Sequence, residues 1–193
     1  MEFFCIYVKI TIRGVFWTDV SGGIEMYQVG SWVVYGVHGV CRIVGTEKQL
    51  VNRKRTQFFV LEPLAHSESR FYLPTDNPVA LAKLRTVLSR DELTALLTSE
   101  SISESVWIEE ENCRKQYYRE LIGSGDRTSL LKMVHSLYRY KASQTASGKK
   151  FHQADENFMR DAEKLLASEI ALVMELSPQE AREYLRTQLR YNA

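Results

Sequence analysis

The stretch Val29 to Val44, VGSWVVYGVHGVCRIV, most constrains how this chain can fold. Two runs of β-branched and aromatic residues, Trp32 to Tyr35 and Val40 to Val44, flank Gly36, Val37, His38 and Gly39. Such side chains suit a pleated, half-buried surface, and glycine admits the positive φ that a tight connection between strands demands. The stretch therefore reads as strand, turn, strand, the nucleus of a small antiparallel sheet. Beyond it, Glu47 to Gln57 is polar and basic, with Asn52, Arg53, Lys54 and Arg55 at its tip. Phe58 to Leu61 supply a third strand and, after the loop Ala65 to Ser69, Arg70 to Leu73 a fourth. Short strands at close intervals, with no long helix between them, predict a strongly bent antiparallel barrel of the Tudor-like or SH3-like kind.

Punctuation follows at Pro74, Thr75, Asp76, Asn77 and Pro78, where each proline fixes its own φ and biases its predecessor away from helix. Val79 to Val87 carries apolar residues into Ser89, which forms a capping box with Glu92 for a short helix through Leu97. Thr98 to Glu104, rich in Ser, Thr and Glu, reads as a linker and places the domain boundary there. Past it the apolar period changes to about 3.6. A helix from Glu109 to Ile122 comes first. Leu130, Leu131, Val134, Leu137 and Tyr138 form the face of a second, capped by Asp126. Ala154, Phe158, Ala162, Leu165, Leu166, Ile170 and Val173 form that of a third, and Ser177, Pro178 and Glu180 open a fourth with Ala181, Leu185 and Leu189 inward. The expected class is α+β: an N-terminal extension (1–25), a small antiparallel barrel (26–97), a linker (98–104) and a compact all-helical domain (105–193).

Residues 1–25 are apolar and β-prone, but Glu2 precedes the apolar run and Phe16 and Trp17 stand near its end, which is not the order of a signal peptide. The sheet pattern begins directly after Met26. The preferred expectation is a functional start at Met26 within an over-extended reading frame; the rival is an extra strand on the sheet edge. Three cysteines at wide spacings, Cys5, Cys41 and Cys113, fit reduced cytoplasmic usage without a disulfide. Every apolar stretch is interrupted within a few residues, so no membrane span is expected.

No phosphate-binding glycine loop, dinucleotide fingerprint, nucleophile elbow or H-E-x-x-H motif occurs, so an enzyme reading has little to stand on. His38 and Cys41 have ligand-like spacing, but zinc needs four donors and no second pair is comparably placed; they read as turn and core residues, with no metal or cofactor expected. A net charge of +1 is silent about nucleic acid, and only the distribution of charge informs. From Arg127 to His152 there are six basic residues, Arg127, Lys132, Arg139, Lys141, Lys149 and Lys150, and no acid. Such a run is either a solvated helix face or a phosphate-contacting surface. Arg114, Lys115 and Arg119 would extend it. Trp107 also has two readings, a core cap anchoring the first helical turn or an exposed wedge that stacks between bases.

In order, MYQVGSWVVYGVHGVCRIV, FFVLEP, FYLPTDNP, LRTVL, SGDRTSLLKMVHSLY and GKKFHQADENFMRDAEKLLASEIALV resemble the CarD/CdnL/TRCF-type bacterial transcription regulators, from Met26 to about Leu176. The resemblance implies a Tudor-like domain that binds the β subunit of RNA polymerase, largely edge to edge, and a helical domain that contacts promoter DNA beside the opening bubble. It makes Gly45 to Val51 the candidate docking edge, with Lys48, Arg53, Lys54, Arg55 and Tyr72 as polymerase-facing residues. Tyr72 stands where relatives can carry arginine. Trp107 matches the family tryptophan that wedges into the minor groove, and Arg114, Lys115, Arg119, Arg127, Lys132, Arg139, Lys149 and Lys150 become the DNA-contacting set. Glu109, Glu110 and Glu111 depart from relatives, and they are compatible with nearby phosphates only if they point away or cap the helix. The expected function is a monomeric, cytoplasmic, non-catalytic regulator that stabilises the open promoter complex with weak sequence preference. The alternative is an adaptor that recruits a partner to RNA polymerase without touching DNA.

Overall fold

The computed structural model describes residues 16–20, 23–65, 68–104 and 107–191. Strand β1 (Phe16–Val20) pairs antiparallel with β2 (Gly23–Tyr27) in a separate two-stranded sheet. In the described part of the N-terminal segment, therefore, the strand joins its own hairpin and not an edge of the main sheet. Residues 1–15, which carry most of the segment in question, lie outside the described residues.

The main sheet contains β3 (Trp32–Tyr35), β4 (Val40–Val51), β5 (Lys54–Pro63), β6 (Phe71–Pro74) and β7 (Leu84–Thr86), all antiparallel, in the order β6-β5-β4-β3-β7. The connection from β3 to β4 is a single 3-10 turn, Gly36–His38, with Gly36 at φ 44° and Gly39 at φ 70°, so the two glycines perform the conformational task expected of them. Val33, Cys41, Ile43, Phe59, Leu61, Leu73 and Leu84 form the sheet core together with Tyr27. A bulge between Ile43 and Gly45 shifts the register and bends β4, after which β4 and β5 run on as a two-stranded ribbon. The ribbon closes through Asn52 and Arg53, both left-handed at φ 50° and 65°, as a two-residue hairpin turn that matches strand twist requires.

Strand β7 was not expected. Its three residues are too few for alternation to register against the apolar run Val79 to Val87. It is specified by long-range partners: β3, and the Tyr27 hydroxyl, which donates to the Leu84 carbonyl at 2.9 Å. Before it, helix α1 (Pro78–Leu81) is capped by the Asn77 side chain.

The helical part comprises α2 (Arg90–Leu97), α3 (Glu111–Ser124), α4 (Arg127–Ala146), α5 (Gln153–Met174) and α6 (Pro178–Tyr191). Ser89 and Glu92 make the expected capping box, Asp126 caps α4, and Ser177 and Glu180 exchange bonds at the start of α6. One boundary needs correction. Leu93 and Leu97 of α2 are 4% and 1% exposed, and Ile102 of the 3-10 turn Glu100–Glu104 is 0% exposed, all within the helical core. The segment read as a linker, 98–104, is thus packed structure, and α2 belongs with the helices. Polar composition concealed a single apolar anchor at Ile102.

Candidate functional site

Two surfaces hold the expected contact residues. The first is the ribbon. From Gly45 to Val51, β4 pairs with β5 on one side only, because β3 reaches no further than Arg42. Among the described residues no strand lies on its other side, so backbone N–H and C=O groups are offered there to an incoming strand. The register Lys48↔Gln57 and Leu50↔Arg55 puts Lys48 and Arg55 on one face, with Leu50, 72% exposed, between them. Lys54 lies on the opposite face and meets Asp76 at 2.8 Å. Arg53 occupies the turn, and Tyr72 stands apart on edge strand β6, opposite Val60.

The second surface surrounds Trp107. The indole is half-buried against the helical core and stacks on Tyr140 of α4, with ring centroids 3.5 Å apart and planes at 12°. Phe151 follows at 6.3 Å from Tyr140, so three aromatics from three segments adjoin one another. Arg114, expected to meet phosphate, does not face solvent: it is 3% exposed. Its guanidinium lies 4.4 Å from the Trp107 ring and donates to both carboxylate oxygens of Asp155, at 3.0 and 3.1 Å. It also donates to the carbonyls of Ile108 and Glu109. Burial opposes its charged form, but the bond to Asp155 and that carboxylate's charge prevail and raise its pKa. Arg114 is therefore a positioning residue that fixes the backbone immediately after Trp107. Asp155, in the first turn of α5, reads in sequence as an ordinary acid favoured by the helix dipole, and its role as partner went unseen.

The three glutamates resolve by geometry. Glu110 caps α3, accepting from the N–H groups of Asn112 and Cys113 at 2.9 and 2.5 Å. The Cys113 side chain and those two amides lower its carboxyl pKa to about 2. Glu111 pairs with Lys115 at 2.5 Å, and Glu109 is exposed.

The basic run also divides. Arg127 donates to both oxygens of buried Glu169, at 2.7 and 2.8 Å, and to the Thr86 carbonyl, which withdraws it from any phosphate surface. Lys132 faces Glu104 at 3.5 Å and Lys141 faces Glu156 at 2.9 Å. Arg119, Arg139, Lys149 and Lys150 are exposed, and among the described residues no ion pair holds them. Arg139 adjoins Tyr140 in sequence, and Lys149 and Lys150 lead into Phe151, so these exposed cations are carried on the same segments as the aromatic rings.

His38 stands against Phe71 at 3.9 Å and Tyr35 at 5.3 Å, and Cys41 is fully buried, its thiol pushed up to about 12 by burial. Neither lies in a gathered set of metal donors among the described residues. A cavity of about 470 Å³ between sheet and helices, lined by His38, Phe71, Leu165, Ser168 and Arg182 among others, includes none of the expected contact residues. No helix among the described residues is long and apolar enough to cross a membrane.

Residues 27–87 match the CarD-like/TRCF RID domain, and residues 92–186 match the CarD C-terminal domain. No curated protein matches the chain.

Proposed function

The chain belongs to the CarD family of RNA polymerase-interacting transcription regulators, and from that premise we propose that it bridges polymerase and promoter DNA and prolongs the open promoter complex without catalysis. The RID domain family binds the RNA polymerase β subunit, and neither matched domain is a catalytic one. Docking runs through the open edge of Gly45 to Val51, where backbone groups supply affinity and the exposed side chains Lys48, Leu50, Arg53 and Arg55 supply discrimination. Tyr72 is a peripheral contact on the neighbouring edge. Because it works on polymerase, the protein acts in the cytoplasm, as a monomer.

The observation that supports the DNA half is the stack of Trp107 on Tyr140 with Phe151 beside it, on segments that also carry Arg139, Lys149 and Lys150, exposed and without acid partners among the described residues. Aromatic area beside free cations is the combination that holds a distorted duplex edge: the cations take phosphates, and the indole fills an unstacked step that would otherwise close. Arg119 is exposed on α3, and Lys115 and Lys132 are already engaged with acids. Trp107→Ala should shorten the open-complex lifetime by about tenfold, since unstacking a step costs a few kcal/mol that the indole no longer offsets. Polymerase binding by the full chain should be unchanged in a pull-down. A variant lifetime equal to wild type would sink the wedge.

A second reading, an adaptor with no direct DNA contact, draws support from the acids that neutralise Arg127, Lys132 and Lys141. Fluorescence anisotropy of the full chain with a promoter fork separates the two, because only the bridging protein binds the fork with steep salt dependence.

A further inference from the structure

We propose that Arg127 and Glu169 lock the sheet and helical domains into one rigid bridge, and that this fixed geometry is required to prolong the open complex. The proposal rests on the bridging function above and adds what holds its two ends in register.

Arg127 opens α4 and Glu169 lies far along α5, so their ion pair is internal to the helical domain. What remains of each group is committed to the backbone of the segment that leaves the sheet. The Arg127 Nη2 donates to the Thr86 carbonyl at the end of β7, and Glu169 Oε1 accepts from the Leu88 N–H at 3.0 Å. A single pair, 16% and 5% exposed, therefore grips both sides of residues 86–88. From the sheet side, Arg85 of β7 reaches back to the Gly125 carbonyl, in the turn between α3 and α4.

Two glycines record how closely the halves approach. Gly125 is left-handed at φ 62°, and a Cβ there would lie 2.9 Å from the Arg85 guanidinium and 3.1 Å from the Gly36 carbonyl of the sheet. Gly39, at φ 70°, faces α5 so tightly that a Cβ would stand 2.9 Å from the Ser168 hydroxyl. Separating the domains would strip backbone partners from a buried carboxylate and a guanidinium at once, and buried polar groups lose heavily when left unsatisfied. A flexible tether would only raise the local concentration of one end beside the other. A locked one also sets the distance and angle between the docking ribbon and Trp107.

Spin labels at positions 79 and 143, both exposed and outside the proposed contacts, test this in the full chain with Cys5→Ser and Cys113→Ser to leave only buried Cys41. The wild-type background should give one narrow distance distribution, and Arg127→Ala a broad one. The same variant should bind polymerase and, separately, a promoter fork to within about twofold of wild type, while its open-complex lifetime falls by about tenfold, a part of the avidity that two contacts held in a fixed geometry provide. Those retained binding activities also report that the variant is folded. Should Arg127→Ala unfold, Arg85→Met, which keeps the apolar stem and removes only the bond to Gly125, should broaden the distribution in the same way. A distribution as narrow as wild type overturns the lock, and a broad one with an unchanged lifetime overturns the need for it. A wild-type chain that leaves the lifetime unaltered overturns the bridging function itself, while the distance distributions still decide whether the domains are locked.

Discussion

The basic side chains of the β4–β5 ribbon stand in solvent, whereas those of helix α4 are divided between ion pairs and open surface. The cause is architectural. Among the described residues, no strand covers the open edge of a ribbon that has run past its core, and Lys54 is the one ribbon cation with an acid partner, Asp76 on the loop after β6. Helix α4 is flanked by other elements, and the acids missing from its own sequence arrive from them: Glu169 and Glu156 from α5, Glu104 from the preceding 3-10 turn. A local excess of charge along a chain is therefore an excess in space only where the element stands alone.

The comparison can be broken most forcefully through stability. Arg114→Ala leaves Asp155 buried without its partner, and loss of one member of such a pair costs about 3–5 kcal/mol. Urea denaturation should show that drop, while Lys54→Ala should leave the midpoint unchanged because exposed pairs contribute little. Equal effects would mean that the two halves do not treat their cations differently.

A finer division is expected within the helical half itself. Lys149→Ala or Lys150→Ala should each reduce the slope of log binding constant against log salt by about one, as expected for loss of one phosphate contact. Lys141→Ala should change it less, its charge being already balanced by Glu156. Identical slopes for all three would assign the whole run to the same surface.

The smallest expected effect concerns Glu110. Its folded pKa is depressed from the usual 4.5 to about 2, so its contribution to stability is present in full above 4.5 and disappears as pH falls toward 2. Glu110→Gln should be less stable than wild type near neutrality, with the gap closing across that acid window. A constant gap at every pH would mean that the helix cap does not depend on the carboxylate's charge.

Much of this architecture was legible from local pattern. Trp32 to Tyr35 and Val40 to Val44 announce a hairpin because side-chain period and glycine φ are properties of a few adjacent residues. The capping boxes at Ser89 and Ser177 and the Asp126 cap are visible for the same reason: donor and acceptor lie within one helical turn. The exposure of the ribbon's basic tip was legible too: residues 52–55 are exposed, as a polar hairpin tip is expected to be. By contrast Arg114 and Arg127, read as exposed cations, are structural: their partners Asp155 and Glu169 lie 41 and 42 residues away.

By itself, then, the sequence determined the α+β order, the turns, the caps and the presence of an aromatic residue beside a cationic run. Only the tertiary structure decided where the sheet gives way to the helical core, which cations remain free, and that Trp107 rests on Tyr140. The physical reason is range. Backbone geometry is settled within a turn or a hairpin, whereas neutralising a charge or burying a ring depends on whichever distant segment packs against it.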